Sequence, residues 1–178
     1  MQKTPSKLDL TGTGYCAAFN FRRTARAVTR LFDTALQKSG MRSTQFSIMV
    51  AIGKNQPVSM GAIADILVID RTTLTRSLRP LEKEGLISIT DRGAMRQRFL
   101  ALTPAGERAL ARSVRAWRRA QEHFVTSIGP RYWTGLQNEL EKLAHIAMEL
   151  ENPKNGSRAR AVSSSPRSEQ SKLPTSVN

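Results

Sequence analysis

The most chemically pointed stretch of this 178-residue chain lies between residues 71 and 79. Leu74, Leu78 and Leu81 stand at i, i+4 and i+7, the inward stripe of a helix. The opposite face then presents Arg71, Thr72, Thr75, Arg76 and Arg79, with Thr73 at its flank, and no acid before Glu82. Arginine can donate twice to guanine, and threonine offers a hydroxyl and a methyl to base edges or phosphates. A second basic group follows at Arg92, Arg96 and Arg98, opposed by Asp91. Cations on a β-loop reach phosphates or enter a minor groove. The bland alternative is a solvated helix face carrying a few cations, and the absence of acids weighs against it.

Other chemistries find little footing. The chain has no Gly-rich phosphate loop, no Gly-x-Ser-x-Gly and no His-Glu-x-x-His pattern, so no enzyme is expected. Cys16 is the single cysteine, which excludes an intrachain disulfide and a zinc ribbon. His123 and His145 are the two histidines, without carboxylates at ligand spacing, so neither metal nor cofactor is expected. At the start of a helix a Cys16 thiolate would be favoured by the helix N-terminus and nearby arginines, making it a candidate redox site. Beside Phe19 and Phe21 a lone cysteine is more often a small buried hydrophobe.

The elements that must position the basic face can be placed from periodicity. Residues 15–38 read as a helix with Phe21, Ala25, Val28, Phe32 and Ala35 on one stripe, stopped by Gly40. Ser43 or Thr44 is expected to cap a second helix, broken at 55–57. Ser59 caps a short third helix, and Asp70 caps the helix that bears the arginines and ends at Gly85. Pro80 inside that helix predicts a kink near Arg76. Two short tight-turned helices of this kind have helix-turn-helix geometry.

Residues 86–90 and 98–102 are β-rich runs around a polar loop with Gly93, a hairpin. Thr103 and Pro104 open a helix of about 24 residues, roughly 36 Å long. Its stripe is Leu110, Val114, Trp117, Gln121, Phe124 and Ile128, and Gly129 with Pro130 ends it. The last helix carries Trp133, Leu136, Leu140, Leu143, Ala147 and Leu150 at alternating three- and four-residue spacings, a coiled-coil-like seam. A small winged core cannot cover these stripes, so Phe21, Val28, Trp117, Phe124, Trp133, Leu136, Leu140 and Leu143 are expected in a homodimer interface.

Charge agrees with a polyanionic partner. Lys and Arg number 28 against 14 acids, a net +14. Residues 152–178 hold five basic side chains against Glu169, a net +4, which leaves +10 on the rest. A body that basic most often meets phosphate backbone. No apolar run suggests a signal peptide or a membrane span, so a cytoplasmic, membrane-free protein is expected.

Four segments carry a resemblance to a known family. They are Phe19, Asn20, Phe21, Arg22, Arg23; Asp70 through Arg76 (Asp-Arg-Thr-Thr-Leu-Thr-Arg); Leu81 through Ile87 (Leu-Glu-Lys-Glu-Gly-Leu-Ile); and Leu102, Thr103, Pro104, Ala105, Gly106. From Phe19 to Leu150 the chain resembles the MarR family of bacterial transcription regulators. The resemblance implies a mainly α fold with a small β-hairpin wing, a winged helix-turn-helix with long N- and C-terminal dimerisation helices. It also implies a dimer gripping a pseudo-palindromic operator in double-stranded DNA, with repression relieved by a small aromatic or hydrophobic effector or by oxidation.

On that reading residues 1–14 are a disordered arm, 15–151 the regulator domain, and 152–178 a disordered basic tail. Within the domain, 15–39 and 104–151 are dimerisation helices, and 43–103 the winged helix-turn-helix. Arg71, Thr72, Thr73, Thr75 and Arg76 would read the major groove. Arg79 and Ser59 would hold phosphate, and Arg92, Arg96 and Arg98 would make the wing contacts. An effector pocket would lie between the first helix, the last long helices and the winged domain. Two departures stand out. Ala94, Met95 and Arg96 replace the family's usual Asp-Arg-Arg near the wing tip, and Val68 replaces a frequent glycine. The alternatives are a sequence-nonspecific architectural nucleic-acid binder and a Cys16-based redox regulator.

Overall fold

In the computed structural model, which describes residues 10–92 and 97–151, the apolar stripes converge on one core. The order is α1 (Ala17–Leu36), α2 (Ser43–Asn55), β1 (Val58–Ser59), α3 (Met60–Leu67), α4 (Arg71–Lys83), β2 (Ile87–Arg92), β3 (Gln97–Leu102), α5 (Pro104–Ile128) and α6 (Pro130–Glu151). The expected arm 1–14 and tail 152–178 lie largely outside the described residues, although Thr13–Tyr15 forms a 3-10 turn. The chain divides into two compact units, Met1–His123 and Phe124–Asn178.

In the first unit, Leu74, Leu78 and Leu81 of α4 are buried with Ile63 of α3, Met49 and Ile52 of α2, Leu100 of β3 and Leu36 of α1. Leu36 lies off the stripe read for the first helix. Phe21, at 47% exposure, stays outside the core. Trp117 of α5 packs on this core too. Its ring stacks on Phe46 with centroids 5.8 Å apart and planes at 24°.

The wing is a hairpin of β2 and β3 paired antiparallel, from Ile87 opposite Leu102 to Arg92 opposite Gln97. It is not a lone hairpin: β1 pairs with β3 through Val58–Leu100 and Ser59–Phe99, giving the sheet order β1-β3-β2. Two residues between helix breakers are too few to show a strand period, which is why the sequence hides this strand. Gly106, in the first turn of α5, lies against the Leu86 backbone, which accepts a bond from Thr103 N at 3.1 Å.

Most helix starts follow their sequence caps. Ser59 Oγ accepts from Ala62 N, Asp70 Oδ1 from Thr73 N, and Thr103 Oγ1 from Gly106 N. The start of α2 differs from expectation. Arg42 is the N-cap, its N donating to Gln45 Oε1 at 3.0 Å, Ser43 is the first helical residue, and Asp33 reaches across from α1. Its Oδ1 accepts from both Ser43 N and Ser43 Oγ, each at 2.7 Å. A carboxylate from another helix thus takes the first amide of α2, beside the local bond from Arg42 to Gln45.

In the second unit, Phe124 and Trp133 meet edge to face at 5.7 Å and 86°. No residue of α6 is buried, and Leu140, Leu143, Ile146 and Leu150 are exposed at 38, 45, 51 and 79%. No helix among the described residues is long and apolar enough to cross a membrane.

Candidate nucleic-acid interface

Two helices joined by a tight turn build the site. Helix α3 closes with Val68 in the left-handed region (φ 52°, ψ 49°), and Ile69 N bonds back to Ala64 O at 3.0 Å. Asp70 then opens α4, which runs from Arg71 through Pro80 to Lys83 as one continuous helix. Its carboxylate takes Thr73 N at 2.8 Å and the Thr73 hydroxyl. The hydroxyl bond is the main reason the Asp70 carboxyl is held below its ordinary value of 3.8.

The face opposite the buried leucines is laid out as the spacing requires. Arg71, Thr72, Arg76 and Arg79 are exposed, and Thr75 is half-buried. None of the three arginines forms an ion pair with a described carboxylate. Arg71 leans toward α3: its Nη2 lies 3.5 Å from where a Cβ on Gly61 would stand.

The threonines are not equivalent. Thr73 donates its hydroxyl proton to Asp70, and Thr75 donates to Arg71 O at 2.7 Å. Thr73 is exposed with its proton engaged, Thr75 is half-buried with its hydroxyl also 3.8 Å from Met60 Sδ, and the Thr72 hydroxyl has no partner among the described residues. Sequence reasoning grouped the three; a Thr three residues after an N-cap Asp, or four after a helical carbonyl, is the pattern that separates them. Ser59 is half-buried at the α3 cap, its oxygen accepting from Ala62 N and its proton without an acceptor among the described residues.

On the wing, Arg98 is exposed on β3 opposite Asp91, and Arg92 ends β2. Arg96 lies outside the described residues. The structure thus gathers Ser59, Arg71, Thr72, Thr73, Thr75, Arg76 and Arg79 on one helix-turn-helix.

Cys16 departs from the buried-hydrophobe expectation. It is exposed at the N-cap of α1, with Phe19 at 60% exposure, because the inward stripe of α1 takes hold only further along the helix. No group of three or more metal-ligating residues occurs among the described residues.

A second feature lies between α1, α2 and α5: a hollow of about 320 Å³. Phe32, Phe46 and Trp117 supply its aromatic wall, and Ser43, Ser47 and Gln121 polar groups. Sequence reasoning placed a pocket between the first helix, the long later helices and the winged part, but named none of its residues.

A winged helix-turn-helix whose second helix presents a cation-rich outward face, with no acid before Glu82, is the build of a DNA-binding transcription regulator. The comparisons narrow that class. The family model described as the MarR family matches residues 41–92. The M. tuberculosis transcriptional regulator MosR, in a crystal structure with DNA, is 30% identical, with TM-score 0.62, over 83% of this chain and 98% of that one. A putative transcriptional regulatory protein for the hcr operon of Thauera aromatica is 32% identical over 111 residues, 60% of this chain. The chain spans 65% of the length of that curated relative. CouR of Rhodococcus jostii, bound to a 23-mer DNA duplex, shares the fold at 23% identity and TM-score 0.67, over 78% of this chain and 99% of that one. The chain belongs to the MarR family of transcription regulators.

Proposed function

We propose that the protein is a cytoplasmic repressor that binds a pseudo-palindromic operator as a homodimer and is released by a small aromatic or hydrophobic effector. The observation that carries the DNA-binding part is the exposed Arg71, Arg76 and Arg79 on the outward face of α4, with no ion pair among the described residues. Arg71, Thr72 and Arg76 supply donors to base edges in the major groove, while Thr73 and Thr75 supply acceptors and methyls. Arg79 and Ser59 hold phosphates, and Arg92, Arg96 and Arg98 form the wing contacts.

The dimer reading rests on apolar surface. A 22-residue helix with no buried residue needs a partner, and residues 15–39 and 104–151 supply the arms. Phe21, Val28, Phe124, Trp133, Leu136, Leu140 and Leu143 are its interface residues. Trp117 contributes mainly to its own chain's core, where it stacks on Phe46. Two-fold symmetry then sets half-sites about 34–36 Å apart. The effector reading rests on the hollow between α1, α2 and α5.

The test is selection of random duplexes on the purified protein, followed by binding at two salt concentrations. The expected result is an inverted repeat preferred over bulk DNA by about 10³ or more. Recovery of no motif, with affinity that collapses as salt rises, would instead identify an architectural binder.

A further inference from the structure

The charge of the chain is not concentrated on its reading helix. Residues 59–103 hold seven basic side chains against five acids, a net of +2. Residues 104–123, the part of α5 within the first unit, hold five arginines against Glu107 and Glu122, a net of +3. Four of the five, Arg108, Arg112, Arg115 and Arg119, recur at spacings of four, three and four. At about 100° per residue they fall within an arc of about 60°, in a row roughly 16 Å long. All four are exposed, and none forms an ion pair among the described residues. The other side of α5 is the packed one, with Gly106 and Ser113 buried and Trp117 stacked on Phe46. Helix α1 also carries four arginines, but Arg22, Arg23, Arg26 and Arg30 spread over about 100° of its surface, with Asp33 inside that arc.

Such a row opposes its own helix, because like charges at i, i+3 and i, i+4 repel. A polyanion laid along it removes that opposition. Every cation in the row is arginine, whose planar fork matches phosphate oxygens in pairs. A second copy of the chain does not fit here, since two such rows facing each other across a two-fold axis would repel. Between Arg108 and Arg119 the only other exposed residues are Ala111 and Arg118. The face therefore lacks the aromatic rings on which single strands stack their bases, and the apolar side chains that enter a membrane surface. What remains is the backbone of a duplex. A row of roughly 16 Å exceeds the major-groove width of about 12 Å, so its ends reach phosphates on both rims.

Resting on the reading of the chain as a DNA binder, we propose that the arginine row on α5 is a second, sequence-independent contact for duplex DNA, separate from α4 and the wing. A protein held on DNA by α4 presents this row to neighbouring duplex at high effective concentration, so one regulator holds two duplex segments.

The test uses the full chain carrying Arg71→Gln, Arg76→Gln and Arg79→Gln, which silences the reading helix, and a random-sequence duplex of a few helical turns. Titrations at several salt concentrations give the slope of log K against log salt, which counts the phosphates held. Adding Arg108→Gln, Arg112→Gln, Arg115→Gln and Arg119→Gln should make that slope shallower by about 3–4, at about 0.9 for each phosphate. The same four positions changed to Lys keep the charge and should keep the slope. Far-UV circular dichroism of both variants should match the parent, since Gln and Lys are both good helix formers at exposed sites. No measurable duplex binding once α4 is silenced, a slope unmoved by the Gln changes, or an equal loss in the Lys variant would each overturn the proposal. So would a loss seen with single-stranded RNA or anionic vesicles but not with duplex. The random sequence and the silenced α4 make the result independent of the operator reading. A selection that recovered no inverted repeat would remove the operator and leave the α5 row standing.

Discussion

Gly106→Ala is the substitution whose outcome the structure sets most tightly. A Cβ built on Gly106 would stand 1.9 Å from the Leu86 carbonyl oxygen and 2.9 Å from its carbon. An ordinary carbon–oxygen approach is about 3.3–3.6 Å, so backbone must move by more than an ångström. The obstacle is a carbonyl at the base of the wing, not the end of a flexible side chain. That carbonyl also accepts the Thr103 amide at 3.1 Å, and the bond goes with the displacement. Overpacking costs about 1–3 kcal/mol and the lost bond about 1 kcal/mol. Against them stands the intrinsic gain of about 1 kcal/mol for replacing Gly by Ala in a helix. The clash wins, for a net loss of about 1–3 kcal/mol. At about 2–4 °C per kcal/mol for a chain of this size, the melting temperature should fall by several degrees. Gly135→Ala is the control: it lies inside α6 with nothing within 4 Å of its Cβ, and should gain up to about 1 kcal/mol. Both are measured by denaturation followed by far-UV circular dichroism at one protein concentration. A Gly106→Ala protein as stable as wild type would refute the claim that α5 docks on Leu86 through a missing side chain.

Three further predictions follow from the same geometry. Val68 holds a left-handed conformation at 55% exposure, so Val68→Gly relieves about 1–2 kcal/mol of strain against about 0.5–1 kcal/mol of added unfolded-state entropy. A small gain in denaturation midpoint is expected, and a loss would mean that the valine side chain is needed. The Asp33 carboxyl is lowered chiefly by the Ser43 hydroxyl and that of Asp70 chiefly by the Thr73 hydroxyl. A depressed folded value gives stability that is present above 3.8 and lost as pH falls through the folded value. Denaturation midpoints of Asp33→Asn should therefore drop less on acidification below 3.8 than those of wild type, and equal slopes would refute the link. Arg76→Ala should cost about 1–3 kcal/mol on the selected operator and relax preference at one base pair. A uniform loss over all duplexes would make Arg76 a phosphate contact, and no change would remove it from the interface.

Much of the fold was legible because local chemistry and global packing agree. The leucine spacing in α4 placed its buried face correctly, and Ser59, Asp70 and Thr103 marked helix starts where the structure has them. What stayed hidden depends on partners distant in sequence. Ser59 read as a cap but is also half of β1, a pairing that exists only because Phe99 arrives beside it. Ser43 read as a cap, while the acceptor came from Asp33 on another helix. Trp117 sits on an apolar stripe, and a stripe cannot say which surface covers it; here Phe46 does. Gly106 belonged to the segment that carried the family resemblance, with no reason attached until the Leu86 carbonyl supplied one. On the candidate interface, spacing gave the face and its charge. The division of the threonines into Thr72, whose hydroxyl has no partner among the described residues, and Thr73 and Thr75, with engaged ones, needed the hydrogen bonds.

The helix that joins the two proposed activities is α2. Its first turns carry Ser43, Phe46 and Ser47 into the hollow, while Ile48, Met49 and Ile52 on its inner side are buried with Ile63 of α3 and Leu74 and Leu78 of α4. Close packing of that core means that α2 cannot shift without carrying the reading helix along or opening voids. An effector changes DNA affinity only through a difference in its affinity for two arrangements of the protein. The contact best placed to differ is the one from Asp33 to Ser43, which ties α1 to the start of α2 and supplies one of the acceptors in the hollow. A ligand donor on Ser43 Oγ favours the arrangement in which its proton points at Asp33, so ligand binding and the α1–α2 tie should strengthen each other. Breaking the tie, as Asp33→Ala would, is therefore expected to weaken ligand binding and free the position of α2 together.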